Sequence, residues 1–388
     1  MPKSIINFFK DFFRDMFRSQ KNQKPDWYLI GTIGFLILFG LIALTSAGVA
    51  QGRQTFNDSY GYIKHQLLLG FLPGVFLFII LSRFDYFKLK KLALPLLLIS
   101  IALLFLVFIP GIGNIGRYGT AKSWLNVFGF SIQPSEIVKL TFLLYLATWL
   151  SNKEEKHLRD LHYGFLPFIF ILMVITALVI MQPDFGTMSI IVIMSLAVYF
   201  VAGGRLWHLS WLTALGASVV YLMIRINPRR ADRLTTFLYP ELDPQRIGYH
   251  INQALLAVGS GGWFGKGYGH SIQKFAYLPE TTGDSIFAVS AEELGFIISA
   301  LIVAAFAFLA LRGFKLAQNC RDPFAKLLVV GIITWFVFQA FLNIGAIIGI
   351  LPLTGVPLPF ISYGGTALAM CLAAAGILAN ISRTVPRD

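Results

Sequence analysis

Charged residues are scarce in this sequence. Asp, Glu, Lys and Arg make up 13% of the 388 residues, whereas they approach about a quarter of an ordinary soluble domain. Hydrophobic residues reach 56% and aromatic residues 15%. This balance excludes a soluble globular domain and predicts an integral membrane protein. The net charge of +13 does not by itself indicate a nucleic-acid partner, because in a membrane chain the position of each charge matters more than the sum.

Cysteine is nearly absent as well. The two cysteines, Cys320 and Cys371, lie in or beside apolar segments, and two such residues cannot build a disulfide framework. Redox chemistry and a Cys-based metal site are therefore not expected. The histidines show no ligand-like spacing, so the residues alone predict no metal site. We expect His250 and His270 to be ordinary loop residues.

Long apolar runs dominate the rest of the chain. With about 20 apolar residues needed for each span, the sequence predicts an all-α polytopic membrane protein with about ten transmembrane helices. The predicted spans are 27–47, 66–82, 92–109, 135–151, 164–181, 187–203, 206–224, 285–311, 326–349 and 363–382.

The two ends of the chain have a different composition from the spans. Residues 1–26 place apolar and charged side chains on opposite faces of a helix, which predicts a cytoplasmic amphipathic segment at the membrane surface. A disordered basic tail is the alternative. Residues 27–383 then form the transmembrane domain, and residues 384–388 form a short cytoplasmic tail.

Basic residues predict the orientation of the spans. Twenty of the 32 Lys and Arg residues fall in the N-terminal segment, the C-terminal segment and the loops on one side of the predicted bundle. By the positive-inside rule, both termini are expected to be cytoplasmic. The segment 225–283 then forms a long extracytoplasmic loop between spans 7 and 8. Gly- and Pro-rich loops at 110–134, 227–283 and 351–362 open on the same outer face, where such backbone lines a cavity or is buried in protein.

Three carboxylates follow the long loop. Asp284 lies where a Pro-broken loop enters the eighth span, and Glu292 and Glu293 lie about 12 Å deeper at 1.5 Å per residue. Ionisable groups at such depth are expensive and mark a site or a structural pair. Asp284 is a candidate proton acceptor, and it is also a candidate N-cap. For Glu292 and Glu293 we expect structural pairing, with Lys139, Gln339 or Asn343 as partners.

Two other polar pairs are predicted to join helices. Glu136 and Lys139 stand three residues apart and can pair within the fourth span. Gln339 and Asn343 stand four residues apart and give the ninth span a polar stripe, which is typical of helix–helix contact.

Basic residues also cluster in the long outer loop. Arg225, Arg229, Arg230 and Arg233 lie within nine residues, and the planar guanidinium group suits phosphate oxygens. An interfacial anchor to lipid headgroups explains the cluster equally well. Further on, six glycines lie between or beside Lys266 and Lys274. That stretch lacks the spacing of a nucleotide-binding loop, so it predicts either a folded structural loop or a contact with a lipid diphosphate or sugar.

Taken together, these stretches resemble the SEDS family (shape, elongation, division and sporulation), represented by FtsW and RodA. The ending ILANISR makes the resemblance closer to FtsW. The matching segments run in the family's order: QPSEIVKL at 133–140, QPDFGT at 182–187, DPQRIGYHINQALLAVGSGGWFGKGYGHSIQK at 243–274, LPE…D…IFAV…EELG at 278–295 and LNIGAIIGILPLTGVPLPFISYGG at 342–365.

The resemblance implies a function and a set of site residues. It implies a peptidoglycan glycosyltransferase that polymerises lipid II on the outer face of the bacterial cytoplasmic membrane, in division or elongation. Its essential aspartate falls on Asp284, its loop arginine on Arg233 and its lysine on Lys274. Glu280, Arg230 and Lys266 are placed beside them as substrate-binding residues. The family's His is replaced by Thr282, and the Arg before Trp124 is replaced by Ser123, so neither of those roles is carried over.

The resemblance also implies partners. They are a class B penicillin-binding protein, other division or elongation membrane proteins, lipid II, undecaprenyl-diphosphate-linked glycan and membrane lipids. A divalent cation, Mg or Mn, is considered as a helper at the departing diphosphate. Two other functions fit the same residues: a lipid II flippase, since Gly- and Pro-broken spans suit a transporter, and a scaffold that recruits a transpeptidase.

Overall fold

The computed structural model describes residues 24–109, 113–115, 122–127, 130–226, 235, 237–239 and 248–385. The predicted amphipathic helix lies outside the described residues except for its last three positions. Arg230 and Arg233 also lie outside them. The domain boundaries proposed from the sequence therefore stay predictions.

Thirteen helices are present in the described ranges. They are α1 (Trp27–Ala47), α2 (Val49–Phe56), α3 (Gly61–Arg83), α4 (Tyr86–Leu106), α5 (Pro134–Ser151), α6 (Glu155–Leu158), α7 (Leu161–Met181), α8 (Phe185–Val201), α9 (Leu206–Ile226), α10 (Tyr249–Ser260), α11 (Ile286–Asn319), α12 (Pro323–Ile347) and α13 (Gly365–Ser382).

The all-α polytopic membrane fold is confirmed. By length and composition, seven of the described helices, α1, α3, α4, α7, α11, α12 and α13, can cross a membrane. Helix α8 is a shorter apolar helix, and α5 and α9 coincide with the two remaining predicted spans. Each of the ten predicted spans therefore corresponds to a helix. The number of ten that cross the membrane stays a prediction for α5, α8 and α9.

Helices α12 and α13 form the centre of the bundle. Their most apolar windows are 72% and 83% buried. Helix α13 packs on α3 through small residues: a Cβ at Gly376 would lie 2.8 Å from the carbonyl oxygen of Phe78, and one at Gly74 would lie 2.5 Å from a methyl carbon of Leu372. Small residues allow such close approach of membrane helices. The two central helices therefore give the loops at the ends of the bundle a rigid base.

A small antiparallel sheet lies between α4 and α5, and the sequence reasoning did not predict it. Strands β1 (Gly113–Ile115), β2 (Lys122–Val127) and β3 (Phe130–Ile132) are ordered β1-β2-β3. Leu125 is paired with Gly113 on one side and with Ile132 on the other. The Ser123 hydroxyl donates to the carbonyl oxygen of Gln182 at 3.2 Å, which ties the sheet to the end of the bundle where α8 begins.

Helix α11 is broken at Gly295. This residue has φ 76° and ψ −174°, a conformation that glycine adopts without steric cost. A Cβ at this position would lie 2.3 Å from the amide nitrogen of Gly265. The loop after α10, residues 261–274, is called here the glycine-rich loop, and it packs directly against the break. It supplies hydrogen-bond partners for backbone groups of α11 that the break leaves without partners inside the helix. The bonds are Lys266 N–H to Glu292 O (3.0 Å), Gly267 N–H to Glu293 O (3.0 Å), Phe296 N–H to Gly262 O (2.9 Å) and Ile297 N–H to Trp263 O (3.3 Å).

The glycine-rich loop is therefore a structural element of α11. Backbone groups freed by a break at membrane depth must be satisfied within the protein, because hydrocarbon offers no partner. The loop meets this need and explains its glycine content, since Gly265, Gly267 and Gly269 have positive φ angles. Of the alternatives open at the sequence level, the folded structural loop is the one that the described contacts support.

Candidate active site

Asp284 lies half-buried at the entrance to α11, and the N-cap position of that helix is the next residue, Ser285. An oxygen of its carboxylate, Oδ2, lies 3.4 Å from the place that a Cβ on Gly355 would occupy. The Asn343 side-chain amide of α12 donates to the carbonyl oxygen of Asp284 and to that of Val356, each at 2.8 Å. Asp284 is thus held between α12 and the loop of residues 348–364, called here the proline loop.

Polar side chains from two helices fix the proline loop. Gln339 of α12 donates its amide to the carbonyl oxygen of Pro357 at 2.7 Å. Gln66 of α3 donates to the carbonyl oxygen of Ser362 at 3.3 Å and accepts from the backbone N–H of Gly364 at 2.9 Å. The predicted role of Gln339 and Asn343 was contact between helices. The prediction is confirmed for Gln339, whose Oε1 accepts from Lys139 of α5 at 2.9 Å. The described hydrogen bonds of Asn343 are made instead to a carbonyl oxygen of the proline loop and to the segment that carries Asp284.

The residues around Asp284 are fixed from both sides. The Ser362 hydroxyl donates to the carbonyl oxygen of Gly283 at 2.7 Å, and the Tyr363 N–H donates to that of Thr282 at 2.8 Å. From the other side, Thr281 donates to the carbonyl oxygen of Ala47, the last residue of α1, at 3.2 Å. Contacts of this kind hold the Asp284 segment in one position, which is a property that an active site requires.

Glu280 lies in the turn that precedes α11, four residues before Asp284. Its backbone has φ 51°, and its carbonyl oxygen accepts from the N–H groups of Gly283 and Ser285, each at 3.1 Å. This turn brings the Glu280 carboxyl to 3.5 Å from the place of a Cβ on Gly283. Burial, followed by the charge of Asp284, raises the pKa of Glu280 to about 7. Two carboxyls therefore interact at the entrance to α11.

His250 was expected to be an ordinary loop residue, and that expectation was wrong. It lies in α10, where its Nε2 is 2.8 Å from the Ser285 hydroxyl. Since that hydroxyl donates to the carbonyl oxygen of Pro279 at 2.9 Å, the imidazole supplies the hydrogen of the shared bond. Burial lowers the pKa of His250 to about 4, so it is neutral near pH 7. Its position inside the long 243–274 motif was the signal that sequence reasoning could have used.

The partners predicted for Glu292 and Glu293 were wrong. Glu292 is paired with Lys266, with Oε1 2.7 Å from the ammonium nitrogen, and it also accepts the hydroxyl of Ser271. Glu293 is paired with Lys274 at 2.8 Å. The general expectation of structural pairing is confirmed. The reason for the different partners is the break in α11, because it brings the glycine-rich loop beside both carboxylates.

Lys274 is enclosed by its contacts. The residue is 2% exposed, and its ammonium donates to the Ser46 hydroxyl at 2.8 Å, the Gly269 carbonyl at 2.7 Å and Glu293 at 2.8 Å. These three bonds use the three donors of an ammonium group. The described position of Lys274 therefore supports a structural role, whereas the Lys266 side chain is 32% exposed. Contact of Lys266 and Lys274 with substrate stays a prediction. Contact of Arg230 and Arg233 with substrate stays a prediction as well.

The Glu136–Lys139 pair is confirmed as a structural element of the core. Their charged atoms are 2.8 Å apart, with side-chain exposures of 1% and 0%. Lys139 also donates to Gln339 at 2.9 Å and lies 4.8 Å from the ring centroid of Trp335. Since Gln339 also donates to the carbonyl oxygen of Pro357, this buried pair helps to fix the proline loop that lies beside Asp284.

The described residues were also searched for a metal cluster and for a cleft. The described residues contain no group of three or more His, Cys, Asp or Glu side chains arranged for a metal ion. A cleft of about 330 Å³ is found at the opposite end of the bundle, lined among others by Ser151, Lys153 and Lys326. It is remote from the entrance to α11.

Comparisons with known proteins agree on one family. A family model described as "Cell cycle protein" (FtsW/RodA/SpoVE) matches residues 26–386. The chain is 40% identical to Stage V sporulation protein E of Bacillus subtilis over 94% of this chain and 98% of that protein. It is 38% identical to a probable peptidoglycan glycosyltransferase FtsW of Trichlorobacter lovleyi, over 92% of this chain and 93% of the relative.

Solved structures show the same likeness. One, described as showing "structural coordination of polymerization and crosslinking by a peptidoglycan synthase complex", is similar with a TM-score of 0.77 and 26% identity, covering 94% of this chain and 99% of the other. The rod shape determining protein RodA of Thermus thermophilus is similar with a TM-score of 0.67 and 25% identity, covering 94% and 98%.

Proposed function

Since this chain belongs to the FtsW/RodA/SpoVE family of cell cycle proteins, we propose that its outer-face loops form the active site of a peptidoglycan glycosyltransferase that polymerises lipid II. It is a multi-pass membrane enzyme of peptidoglycan synthesis in division or elongation. The observation that carries the site assignment is the fixed, half-buried position of Asp284 between Asn343 and the proline loop.

Asp284 acts as the general base in this proposal. Its carboxylate takes the proton from the 4-hydroxyl of the GlcNAc of one lipid-linked glycan as that oxygen attacks the anomeric carbon of the MurNAc of another. The bond from that carbon to the diphosphate breaks, and undecaprenyl diphosphate leaves with the electron pair. A diphosphate departs without protonation, so one base suffices, unlike the two-carboxylate scheme of glycoside hydrolases.

The departing diphosphate needs positive charge nearby, because charge develops there in the transition state. Arg230 and Arg233 are the proposed contacts, on the basis of their position in the sequence and of the family resemblance. Lys266 is a further contact, supported by its partly exposed ammonium. Lys274 is proposed to act on the substrate through the shape of the glycine-rich loop, since its own donors are used by Ser46, Gly269 and Glu293.

A divalent cation, Mg or Mn, is retained as a proposed helper at the diphosphate. Hard cations of this kind take oxygen ligands and are commonly held by one or two carboxylates together with substrate phosphates. Asp284 and Glu280 supply carboxyl oxygens of the required type.

The proposed orientation rests on the distribution of basic residues. We propose that both termini are cytoplasmic and that the entrance to α11 opens on the outer face of the cytoplasmic membrane. The twenty basic residues that the sequence assigns to one side of the predicted bundle support this assignment. Lipid II presents its saccharide on that outer face, where Asp284 would meet it.

A class B penicillin-binding protein is the proposed partner. The support is the similarity of this chain to a member of a peptidoglycan synthase complex whose description couples polymerisation to crosslinking. Other membrane proteins of division or elongation are proposed to join them.

Polymerisation and transport are separated by one pair of assays. Purified protein with its partner in detergent is incubated with lipid II, and glycan length is measured on gels. In parallel, the same protein in sealed vesicles is tested for translocation of labelled lipid II. Glycan strands that form in detergent, without a membrane to cross, support the polymerase. Translocation in vesicles without any strand formation would contradict it.

A further inference from the structure

We propose that the cleft at the end of the bundle opposite Asp284 binds the headgroup of an anionic phospholipid. The cleft has a volume of about 330 Å³ and lies between the ends of α5, α8 and α11 and the start of α12. A cavity of this size is at the lower end of the range for ligand sites, so it has room for a phosphate headgroup while the acyl chains stay in the bilayer. The chemistry proposed at Asp284 takes no part in this binding.

The cleft lies at the level of one membrane surface. Helix α12 begins there, since Pro323 and Lys326 line the cleft. Near its other end, α12 reaches the proposed active site, where Asn343 bonds to Asp284. From Lys326 to Asn343 the helix rises about 26 Å at 1.5 Å per residue, and the hydrocarbon core of a bilayer is about 30 Å thick. The cleft and the active site therefore lie near opposite surfaces, and under the proposed orientation the cleft faces the inner leaflet.

Basic side chains outnumber acidic ones in the cleft. The cations that line it are Lys153, Arg321 and Lys326. Among the described lining residues, Glu155 is the one carboxylate, and it is already paired with Arg159, four residues further along the chain. The positive charge of the cleft is therefore not cancelled by its own carboxylate.

Two of the three cations have their donors available. Arg321 is exposed and Lys326 is half-buried, and within the described ranges neither side chain makes a hydrogen bond or an ion pair. In contrast, the ammonium group of the buried Lys139 lies 2.8 Å from a carboxylate oxygen. A guanidinium has five N–H donors and an ammonium has three, and both suit phosphate oxygens. Neither Arg321 nor Lys326 is used to satisfy a carbonyl at the ends of the neighbouring helices.

Lys153 completes the basic lining from the other side. Its ammonium lies 4.5 Å from the ring centroid of Trp149, a cation–π contact, and donates to the carbonyl oxygen of Tyr163. These contacts fix the side chain and leave further N–H donors of the ammonium for a ligand. Tryptophan is enriched at the boundary between membrane and water, which agrees with a cleft at the level of the lipid headgroups.

The other polar groups near the cleft leave its positive charge in place. The Cys320 thiol is neutral near pH 7, because burial raises its pKa to about 12, and its Sγ donates to the carbonyl oxygen of Leu316 at 3.3 Å. Asp322 is the N-cap of α12, and its carboxylate accepts from the backbone N–H of Ala325 at 3.0 Å. The cleft therefore needs an anion from outside the described residues to balance its cations.

An anionic phospholipid is the occupant that fits this position and charge. Basic pockets between membrane helices are typical sites for anionic headgroups, and the cleft lies at the depth where a phospholipid presents its phosphate. The N-terminal segment of this chain is not complementary, because residues 1–26 carry more basic than acidic side chains. A zwitterionic lipid suits the cleft less well, since its ammonium would lie against the lining cations.

The test is native mass spectrometry of the full chain in a neutral detergent, titrated with phosphatidylglycerol or with phosphatidylethanolamine. We expect phosphatidylglycerol to bind at least about fivefold more tightly. Lys326→Gln and Arg321→Gln should each weaken its binding about fivefold, the usual effect of one basic residue near an anionic lipid surface. Lys326→Arg should bind it as the unchanged protein does. Inorganic phosphate at the same concentration should not displace the lipid.

Lys156→Gln is the matched control. It removes one positive charge from a side chain that is 76% exposed and lies outside the lining of the cleft, and melting temperatures confirm that each variant is folded. Equal binding of the two lipids by the unchanged protein overturns the inference. An equal loss for Lys156→Gln and Lys326→Gln overturns it as well, because general surface charge would then attract the lipid. Displacement by inorganic phosphate would overturn the assignment to a lipid in favour of a soluble anion.

Discussion

The Asn343 side-chain amide lies 2.8 Å from the carbonyl oxygen of Asp284 and donates a hydrogen bond to it. The same amide group also donates to Val356 at 2.8 Å. One buried side chain of α12 thus connects the segment that carries the proposed base to the proline loop. The position of the carboxylate depends on this connection, although Asn343 has no described contact with the carboxylate itself.

Replacing Asn343 should reduce activity by misplacing Asp284. Asn343→Asp keeps the shape but removes the amide donor, and it places acceptor oxygens against two carbonyl oxygens. We expect the polymerisation rate to fall about a hundredfold, since small displacements of a catalytic group cost that much, and stability to fall by about 1–3 kcal/mol from the unsatisfied polar groups. Initial rates and thermal unfolding measure the two effects. An Asn343→Asp protein with unchanged kinetics would show that the connection does not position the base.

The break in α11 should tolerate only glycine. Gly295→Ala introduces a Cβ 2.3 Å from the amide nitrogen of Gly265, at a φ of 76°. We expect a loss of stability of at least about 1–3 kcal/mol, the usual cost of forcing a side chain into such a conformation. Gly31→Ala in α1 is the matched control, because a Cβ there meets nothing within 4 Å. Thermal unfolding in one detergent compares them, and equal melting temperatures for the two variants would contradict the described break.

The two lysine–glutamate pairs beside the break should differ in their effect on stability. Lys274→Met leaves the Glu293 carboxylate buried without its cation, and we expect a loss of about 3–5 kcal/mol. Lys266→Met should cost less, because the Lys266 side chain is 32% exposed whereas that of Lys274 is 3% exposed. The double variant Lys274→Met with Glu293→Gln should recover part of the loss. Unfolding midpoints check the order, and a larger loss for Lys266→Met would refute it.

The sequence predicted the helices well because their signal is local. A run such as α1 or α7 is apolar over its whole length, and the requirement for about 20 apolar residues identifies it without knowledge of its neighbours. The short strands of the β1-β2-β3 sheet carry no comparable signal. Three residues at Gly113–Ile115 are too few to show a period of two, so the sheet was missed.

The partners of the buried charges were harder to predict. The Glu136–Lys139 pair was identified correctly because both residues lie on one helix at a spacing of three. Glu292 and Glu293 were assigned to the wrong cations because pairing between distant segments depends on how the chain folds back. The break at Gly295 that brings Lys266 and Lys274 to them is a tertiary feature, and a glycine inside an apolar run does not reveal it.

Asp284 is the candidate site residue that the sequence indicates most directly. A lone carboxylate at the start of an apolar run is a strong signal, since such groups are rare in membrane helices. Its electrostatic effect on Glu280 was not predicted, because the sequence does not indicate the positive φ at Glu280 that shapes the turn before α11.

The central claim is that the Asp284 carboxylate is the base that activates the attacking sugar hydroxyl. The most direct measurement is lipid II polymerisation by Asp284→Asn, purified with its partner, compared with Asp58→Asn. Asp58 is a carboxylate paired with Lys64, so its replacement controls for the loss of one negative charge. We predict that Asp284→Asn folds and binds its partner but elongates at least about a hundredfold more slowly, as expected for loss of a general base, while Asp58→Asn elongates normally. Normal elongation by a folded Asp284→Asn protein would contradict the account.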